Sequence, residues 1–283
     1  MRHLRAAVVF ILAQAAYGQA LVVDQPYRSN AAKLGVPRGF VGDHFVLGSH
    51  GEVWVIDSLS TWVSRADLPG TVKLLGGVEA DLSPQGTPAQ PDCACHNLTV
   101  LKSGAVGPEI RVSAVAPRIW RIDFQDLRWS VPGGVPIQFG VLGAGRNTAS
   151  RTTSHHDLRL FDDDGKLLGR YMAQDAPPDQ ALGIDVQVRG HRTVPVALRA
   201  SGGMLEVALQ PGNGFDPAQA DPASLRLGFR HVPPVSTTEA PNRLLLQFRR
   251  EDVGPRPGEL TVCLTGTLRD GIPFEGCDLV PKP

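Results

Sequence analysis

The feature that most constrains this chain is a period-two alternation of apolar and polar residues, which recurs in short segments. The segments PRIWRIDF, SLRLGFRHV and RLLLQFRR carry apolar side chains at alternate positions, and this spacing places those side chains on one face of a β-strand. Glycine and proline, with 31 and 24 residues, are spread along the chain, as turns between short strands require. We therefore predict an all-β protein built from sandwiches or barrels, without βαβ units.

The N-terminus predicts export. Arg2 and Arg5 precede an apolar run, Ala6–Ala16, that is too short to span a bilayer as a mature helix. Small residues follow, and we place signal peptide cleavage after Gly18, with Ala20 as the alternative. Residues 1–18 are thus interpreted as a signal peptide. We expect the mature chain to be secreted or periplasmic, with no membrane insertion after signal cleavage.

The charge balance argues against a nucleic-acid partner. The chain has 28 basic and 28 acidic residues, and removing Arg2 and Arg5 with the signal peptide leaves 26 against 28. A nearly neutral chain has no electrostatic attraction for nucleic acid or anionic lipid. The partners that we expect are an extracellular glycan or an envelope protein.

The four cysteines predict disulfides, because an exported chain meets an oxidising compartment. The segment LTVCLTGTLRDGIPFEGCDL is predicted to form a hairpin with a three-residue loop, Arg269–Gly271. If Leu268 faces Ile272, stepping outward places Cys263 opposite Cys277, and cross-strand neighbours are close enough for a disulfide. The remaining pair, Cys93 and Cys95, either closes a small ring or stays reduced.

The last hundred residues or so resemble a domain found in secreted proteins of environmental bacteria. The resemblance is carried, in the family's order, by Ile184-Asp185-Val186, TVPVALRA, FDPAQADPASLRLG, LLLQF and LTGTLRDGIPFEGCD. It implies an immunoglobulin-like β-sandwich that accompanies other domains and carries no assigned reaction. The family has an acidic loop similar to a calcium-binding loop, but here TTEAPN (237–242) replaces it and keeps only Glu239. Since calcium takes six or more oxygen ligands, we expect no cofactor.

The first half is similar to jelly-roll-like domains of secreted bacterial proteins. The similarity is carried by GDHFVLGSHGEVWVIDSLSTWV and WRIDFQDLRWSVPGGVPIQFGV. With the Pro- and Asp-rich run DAPPDQALG as the boundary, we predict a jelly-roll-like domain over 19–178 and an immunoglobulin-like domain over 182–283. The predicted fold class is therefore all-β, with two antiparallel β domains.

Two acidic segments are the metal candidates. The segment SHHD, residues 154–157, has adjacent histidines that would point to opposite faces of a strand. The segment DDDG, residues 162–165, is explained by a hairpin turn, which favours Asp and Gly at these positions. Asp157, Asp162 and Asp164 remain weak metal candidates, and we predict no metal site.

The four tryptophans all lie in the first half. A flat aromatic ring can cover the apolar face of a sugar. Trp62 and Trp129 are the candidate ligand-binding residues, whereas Trp120 shares its predicted strand face with Ile122 and Phe124 and is assigned to the core.

We expect a non-catalytic exported protein, a binding or structural module of the cell envelope or extracellular space. The alternative is a carbohydrate-active hydrolase or lyase that uses carboxylates of the first domain, where Glu52, Asp57, Asp123 and Asp126 lie on or near predicted strands. No sequence motif of a known catalytic centre favours this alternative.

Overall fold

A computed structural model describes residues 20–36, 38–79, 87, 89–90, 97–151, 158–171, 182–253 and 261–280. The signal segment, Cys93, Cys95 and Asp157 lie outside the described residues, as do residues 172–181 of the predicted boundary. The described residues form 22 strands, one short α-helix and two 3-10 turns. The predicted all-β fold class is confirmed. No helix among the described residues is long and apolar enough to cross a membrane.

The strands up to residue 193 belong to the first half. They are β1 (Ala20–Gln25), β2 (Ala32–Leu34), β3 (Phe40–Val46), β4 (Val53–Ser64), β5 (Thr71–Val78), β6 (Thr99–Ala105), β7 (Ile110–Ala116), β8 (Ile119–Phe124), β9 (Trp129–Pro132), β10 (Pro136–Leu142), β11 (Arg146–Arg151), β12 (Arg159–Phe161), β13 (Leu167–Arg170), β14 (Leu182–Ile184) and β15 (Val186–Thr193).

The described part of the second half forms seven strands. They are β16 (Val196–Ser201), β17 (Met204–Leu209), β18 (Arg226–Leu227), β19 (Ser236–Ala240), β20 (Arg243–Arg249), β21 (Thr261–Thr267) and β22 (Pro273–Leu279). The 3-10 turns, Pro217–Gln219 and Pro222–Ser224, are capped by the side chains of Asp216 and Asp221. The helix α1 is a single turn, Arg250–Val253.

The first core lies between two sheets. One is a six-stranded sheet in the order β13-β12-β3-β10-β5-β6, and the other is the part of a twelve-stranded sheet that contains β4, β11 and β15. Alternate residues of β10, such as Ile137, Phe139 and Val141, point into this core, as the period of a strand requires. The result is a β-sandwich with antiparallel pairing throughout these strands.

The second core is a smaller sandwich. The sheet β16-β17-β20-β19 packs against β22, β21 and β18, which continue the twelve-stranded sheet. The alternation predicted for β20 is confirmed, since Leu244, Leu246 and Phe248 are all buried in this core. Seven strands in sheets of four and three agree with the predicted immunoglobulin-like count.

The packing changes at the end of β15. We predicted the second domain to begin at residue 182, and Ile184, Val186 and Val188 instead pack into the first core. They do so because β15 pairs with β4 over its length, from Val186–Thr61 to Arg192–Trp54. The second core begins with Val194.

The terminal hairpin has the predicted register. Cys263 pairs with Cys277 across β21 and β22, and their sulfur atoms form a disulfide. Leu268 N–H donates to the carbonyl of Ile272 at 2.7 Å, and Gly271 has a φ of 89°, which favours glycine because other residues are strained there. The predicted Cys263–Cys277 disulfide is therefore confirmed.

Candidate functional site at the junction of the two cores

Strand β15 carries two charged neighbours where the first core meets the second. His191 and Arg192 are consecutive, so their side chains point to opposite faces of the sheet. Beside them β15 pairs in parallel with β22, Arg192 opposite Phe274 and Thr193 opposite Glu275. The amide of Val194 extends this ladder by donating to the carbonyl of Glu275 at 2.9 Å. The final strand of the second half is thus joined to a strand of the first.

A β-bulge directs Asp57 toward His191. In the β4–β15 ladder, Ser58 is opposite Arg189 and Ile56 is opposite Gly190, which leaves Asp57 without a partner residue on β15. Such an extra residue bends the strand and redirects its side chain. Here the Oδ2 atom of Asp57 lies 2.9 Å from the Nδ1 atom of His191.

The other ring nitrogen of His191 faces the second half. Its Nε2 atom lies 3.8 Å from Oε1 of Glu275, and the side chains of His191 and Glu275 are 12% and 37% exposed. Burial acts to lower the pKa of His191, but the hydrogen bond to Asp57 and the charges of Asp57 and Glu275 outweigh it, so the pKa is raised above 6.5. The imidazole is therefore held between carboxylates from the two halves.

The disulfide lies beside this cluster. The Sγ atom of Cys277 is 3.6 Å from Oε1 of Glu275. Cys263, Glu275 and Cys277 form the one group of three metal-type ligands that the described residues bring within 4.8 Å of one another. Its two sulfur atoms are bonded to each other, and thiolates, not disulfide sulfurs, are the zinc ligands of proteins. Cys263 and Cys277 therefore form a covalent cross-link between β21 and β22, next to Glu275 and His191.

The opposite face of β15 carries a buried ion pair. Arg192, which is 4% exposed, lies 3.3 Å from Glu52 through its Nη1 atom. Its Nη2 atom donates to the carbonyl of Asn213 at 3.0 Å, and its guanidinium lies over the ring of Phe215 at 5.9 Å. Glu52 also accepts a hydrogen bond from the indole of Trp54 at 2.9 Å. These contacts connect β4 and its preceding turn to the second half.

A second buried carboxylate lies near the start of β15. Asp185 is 0% exposed, and neither of its carboxylate oxygens has a hydrogen bond of standard geometry. Desolvation raises the pKa of Asp185 above 3.8, although the nearby Ser150 and Thr148 hydroxyls and the charge of Arg28 partly oppose it. The cost of an unpaired buried charge favours the protonated form.

The six-stranded sheet carries a separate polar group on the face away from the first core. Arg159 forms an ion pair with Glu79, and the Nδ1 atom of His44 lies 3.6 Å from the same Glu79 oxygen. Gln138 lies opposite His44 on the neighbouring strand, and its buried Nε2 atom has no hydrogen-bond partner among the described residues. Residues 80–86, which follow Glu79 in the chain, and residues 152–157, which precede β12, lie outside the described residues.

The two candidate ligand-binding tryptophans differ in exposure. Trp62 is 4% exposed, and the guanidinium of Arg121 lies 5.3 Å from the centre of its ring. Trp129 packs against the first core, with its ring over Gly76. Trp62 therefore offers no open ring to a ligand, whereas Trp129 is half-buried and its role in ligand binding stays a prediction. Trp120 packs against the core as predicted.

The acidic turn has a structural role. The Oδ1 atom of Asp162 accepts hydrogen bonds from the amides of Asp164 and Lys166 at 3.0 and 2.8 Å, and the turn joins the antiparallel strands β12 and β13. Asp164 is exposed, and it belongs to no described cluster of three metal-type ligands. The predicted hairpin turn is confirmed. Asp157 lies outside the described residues.

The remaining candidate carboxylates of the first domain are separated. Asp123 accepts hydrogen bonds from Ser60 at 2.5 Å and from Arg121 at 2.7 Å, on the sheet face that carries Trp62. Asp126 is exposed in the segment after β8. Asp57 and Glu52 contact His191 and Arg192, on opposite faces of β15.

Sequence reasoning missed His191. Its partners Asp57 and Glu275 come from distant strands, and Asp57 alone is separated from it by 134 residues. The one local signal is a charged pair, His191-Arg192, at the end of an otherwise alternating strand. That signal predicts a polar strand end, and it does not identify the groups that face the ring.

The fold and the junction define an all-β protein of two sandwiches that share one sheet. No family model matches the chain, and no curated protein matches it. A solved structure with some likeness is the full ectodomain of mouse nectin-like molecule 4, Ig1–Ig3, which is 10% identical over 83% of this chain and 96% of that chain, with a TM-score of 0.17. A TM-score this low carries no argument about function.

Proposed function

We propose that this chain is an exported, non-catalytic protein that serves as a binding or structural module in the cell envelope or the extracellular space. The signal-like N-terminus and the Cys263–Cys277 disulfide support export, because disulfides persist in oxidising compartments. An extracellular glycan or an envelope protein is the partner. A nucleic acid is not, since the chain has no excess of positive charge.

The observation that carries this proposal is the engagement of the carboxylates in the first half. Glu52 is paired with Arg192, Asp57 with His191, and Asp123 with Arg121. A glycosidase needs two carboxyl groups that face one scissile bond at about 5–9 Å from each other. Glu52 and Asp57 contact opposite faces of β15, so these two cannot serve one bond.

The test measures hydrolysis and binding on the same protein. The oxidised mature chain, beginning at residue 19, is incubated with a panel of soluble polysaccharides, and the release of reducing ends is followed. Binding is measured in parallel by affinity electrophoresis on the polysaccharides and by co-sedimentation with isolated bacterial envelopes. We expect no release of reducing ends and specific retention by a polysaccharide or by the envelopes.

Two results would overturn the proposal. Release of reducing ends that is lost in Asp57→Asn or Asp123→Asn, with Asp67→Asn at an exposed position after β4 as the matched control, would establish the hydrolase instead. Absence of retention by every polysaccharide and by the envelopes would reject the binding role. Thermal melting of each variant shows whether a lost activity reflects a lost fold.

A further inference from the structure

We propose that His191 links the two sandwiches in a pH-dependent way. The protonated ring contacts Asp57 of β4 and Glu275 of β22 at the same time, and loss of its proton weakens the contact between the sandwiches. The inference is independent of the proposed binding role. It starts from the position of the ring between carboxylates of two different cores.

The protonation state of the His191 ring decides whether its contact with Glu275 is attractive or repulsive. A protonated imidazole has two N–H groups, so Nδ1 donates to Asp57 at 2.9 Å while the positive ring attracts Glu275, whose Oε1 is 3.8 Å from Nε2. A neutral ring keeps one N–H. If that hydrogen stays on Nδ1 for Asp57, the lone pair of Nε2 faces the Glu275 carboxylate. Loss of the proton therefore replaces attraction across the junction by repulsion.

The charged groups around His191 favour the protonated ring. Asp57 faces it from β4 and Glu275 faces it from β22. Strand β1, which pairs with the preceding part of β15, contributes the uncharged segment Ala20–Val23. On β15 itself, Arg189 shares the face of His191 and is exposed, so solvent screens its repulsion. Two carboxylates that contact the ring thus oppose one solvent-exposed cation on the same face of β15.

The direction of the pKa shift agrees with this geometry. Burial lowers the pKa of His191, and the hydrogen bond to Asp57 together with the charges of Asp57 and Glu275 raises it further than burial lowers it. A group with a raised folded-state pKa stabilises the structure fully below its unfolded value, here 6.5. This stabilisation is lost as the pH rises through the folded-state value.

The two faces of β15 respond differently to pH. Arg192 remains charged at all accessible pH values, so its contacts with Glu52 and with the carbonyl of Asn213 persist. The ladder between β15 and β22 has just two paired positions, with the Val194 amide hydrogen bond at its end. Deprotonation of His191 therefore weakens the junction on the His191 face of β15, while the Arg192 contacts on the opposite face are kept. The two sandwiches can then rotate about the Arg192 side.

The test follows the amide exchange of Val194 by NMR in the full mature chain. This amide donates to the carbonyl of Glu275 across the junction. Protection factors, corrected for intrinsic exchange, are compared at pH 5.5 and pH 8.5. We expect Val194 to be more protected at the lower pH, by up to about tenfold for each pKa unit that the Glu275 contact alone contributes to the raised pKa of His191, because the Asp57 contact lies within the first half. The amide of Gln125, bonded to Glu109 within the first half, is the internal reference and should not change.

Three variants make the result specific. His191→Gln should give a pH-independent protection of Val194, and Glu275→Gln, at a half-exposed position, should remove most of the dependence without threatening the fold. The control variant His50→Gln, at an exposed turn, should keep the pH dependence of Val194 protection. Equal protection of Val194 at both pH values in the wild type, or an unchanged dependence in Glu275→Gln, would overturn the proposal.

Discussion

At the scale of single residues, Asp185 is a carboxylate that the fold buries completely. A charged carboxylate in the interior loses its hydration, and the Ser150 and Thr148 hydroxyls near Asp185 compensate this loss only in part. Its immediate surroundings are β-strand backbone, with the Asp185 amide donating to the Thr148 carbonyl and the Asp185 carbonyl accepting from the Thr61 hydroxyl. The backbone of Asp185 is therefore paired, whereas its buried side chain has no hydrogen bond of standard geometry to a described residue.

We expect Asp185→Asn to stabilise the protein at neutral pH by about 1–2 kcal/mol, because the substitution removes an unpaired buried charge and keeps the side-chain shape. The folded-state pKa of Asp185 is raised above 3.8, so its favourable contribution exists below pH 3.8 and is lost as the pH rises through the raised value. Urea unfolding at a series of pH values measures both effects. A variant that is less stable at pH 8, with a gap independent of pH, would contradict this account.

Gly140 is a second residue whose surroundings determine what can replace it. A Cβ atom at this position would overlap the ring of Phe40, which stacks on Phe161 at 5.2 Å. We expect Gly140→Ala to destabilise the protein by about 1–3 kcal/mol, because a rigid stacked pair cannot move aside freely. Gly104→Ala in the same sheet is the control, since its Cβ would make an ordinary contact at 3.6 Å. Equal unfolding midpoints for the two variants would reject the overlap.

At the scale of elements, the terminal hairpin shows what a sequence can specify. The register of β21 and β22 follows from one short loop and from local alternation, so it was predictable together with its disulfide. The alternation of β20 and the turn after β12 were predictable for the same reason. Each depends on residues close together in the chain.

Features that depend on distant strands were not predictable. Alternation shows that Trp62 shares a face with its neighbours on β4, but it does not show that Arg121 covers this ring. In the same way, the pattern of β15 gives no sign that it pairs with β4 and lies in the first core. The partners of His191 come from two further strands. Local periodicity identifies strands, and the order of strands in a sheet is decided by the whole chain.

We expect the disulfide to stabilise the terminal hairpin by about 3 kcal/mol, because it closes a loop with a sequence separation of 14 and so restricts the unfolded chain. The double variant Cys263→Ser/Cys277→Ser should therefore unfold at lower urea concentration than the oxidised wild type. Reductant should lower the stability of the wild type and leave that of the variant largely unchanged. Equal urea midpoints for the oxidised wild type and the double variant would show that the disulfide does not stabilise the hairpin.

At the scale of the whole molecule, the two cores are joined by one shared sheet. Strand β15 belongs to the first core and β22 to the second, and the side chain of Ile272 packs against both. Arg192 adds a buried charge whose partners Glu52 and Asn213 lie on different sides of the junction. This arrangement predicts that the two sandwiches unfold together.

We expect Arg192→Met to break this cooperativity and to cost about 3–5 kcal/mol, because Glu52 would remain in a poorly hydrated position without its cation. In scanning calorimetry the single transition expected of the wild type should broaden or split in two. The double variant Arg192→Met/Glu52→Gln should recover part of the lost free energy of unfolding, since it also removes the uncompensated negative charge of Glu52. A narrow single transition in Arg192→Met would show that the ladder alone couples the cores.

The parallel ladder between β15 and β22 also has a consequence for biogenesis. Residues 273–279 are synthesised well after residues 186–193, so the end of β15 has no β22 partner while the intervening chain is made. During that interval its unsatisfied backbone groups can recruit a foreign strand. Chaperone protection of the nascent chain would matter most for this edge, which is covered only when the disulfide-bonded hairpin pairs with it.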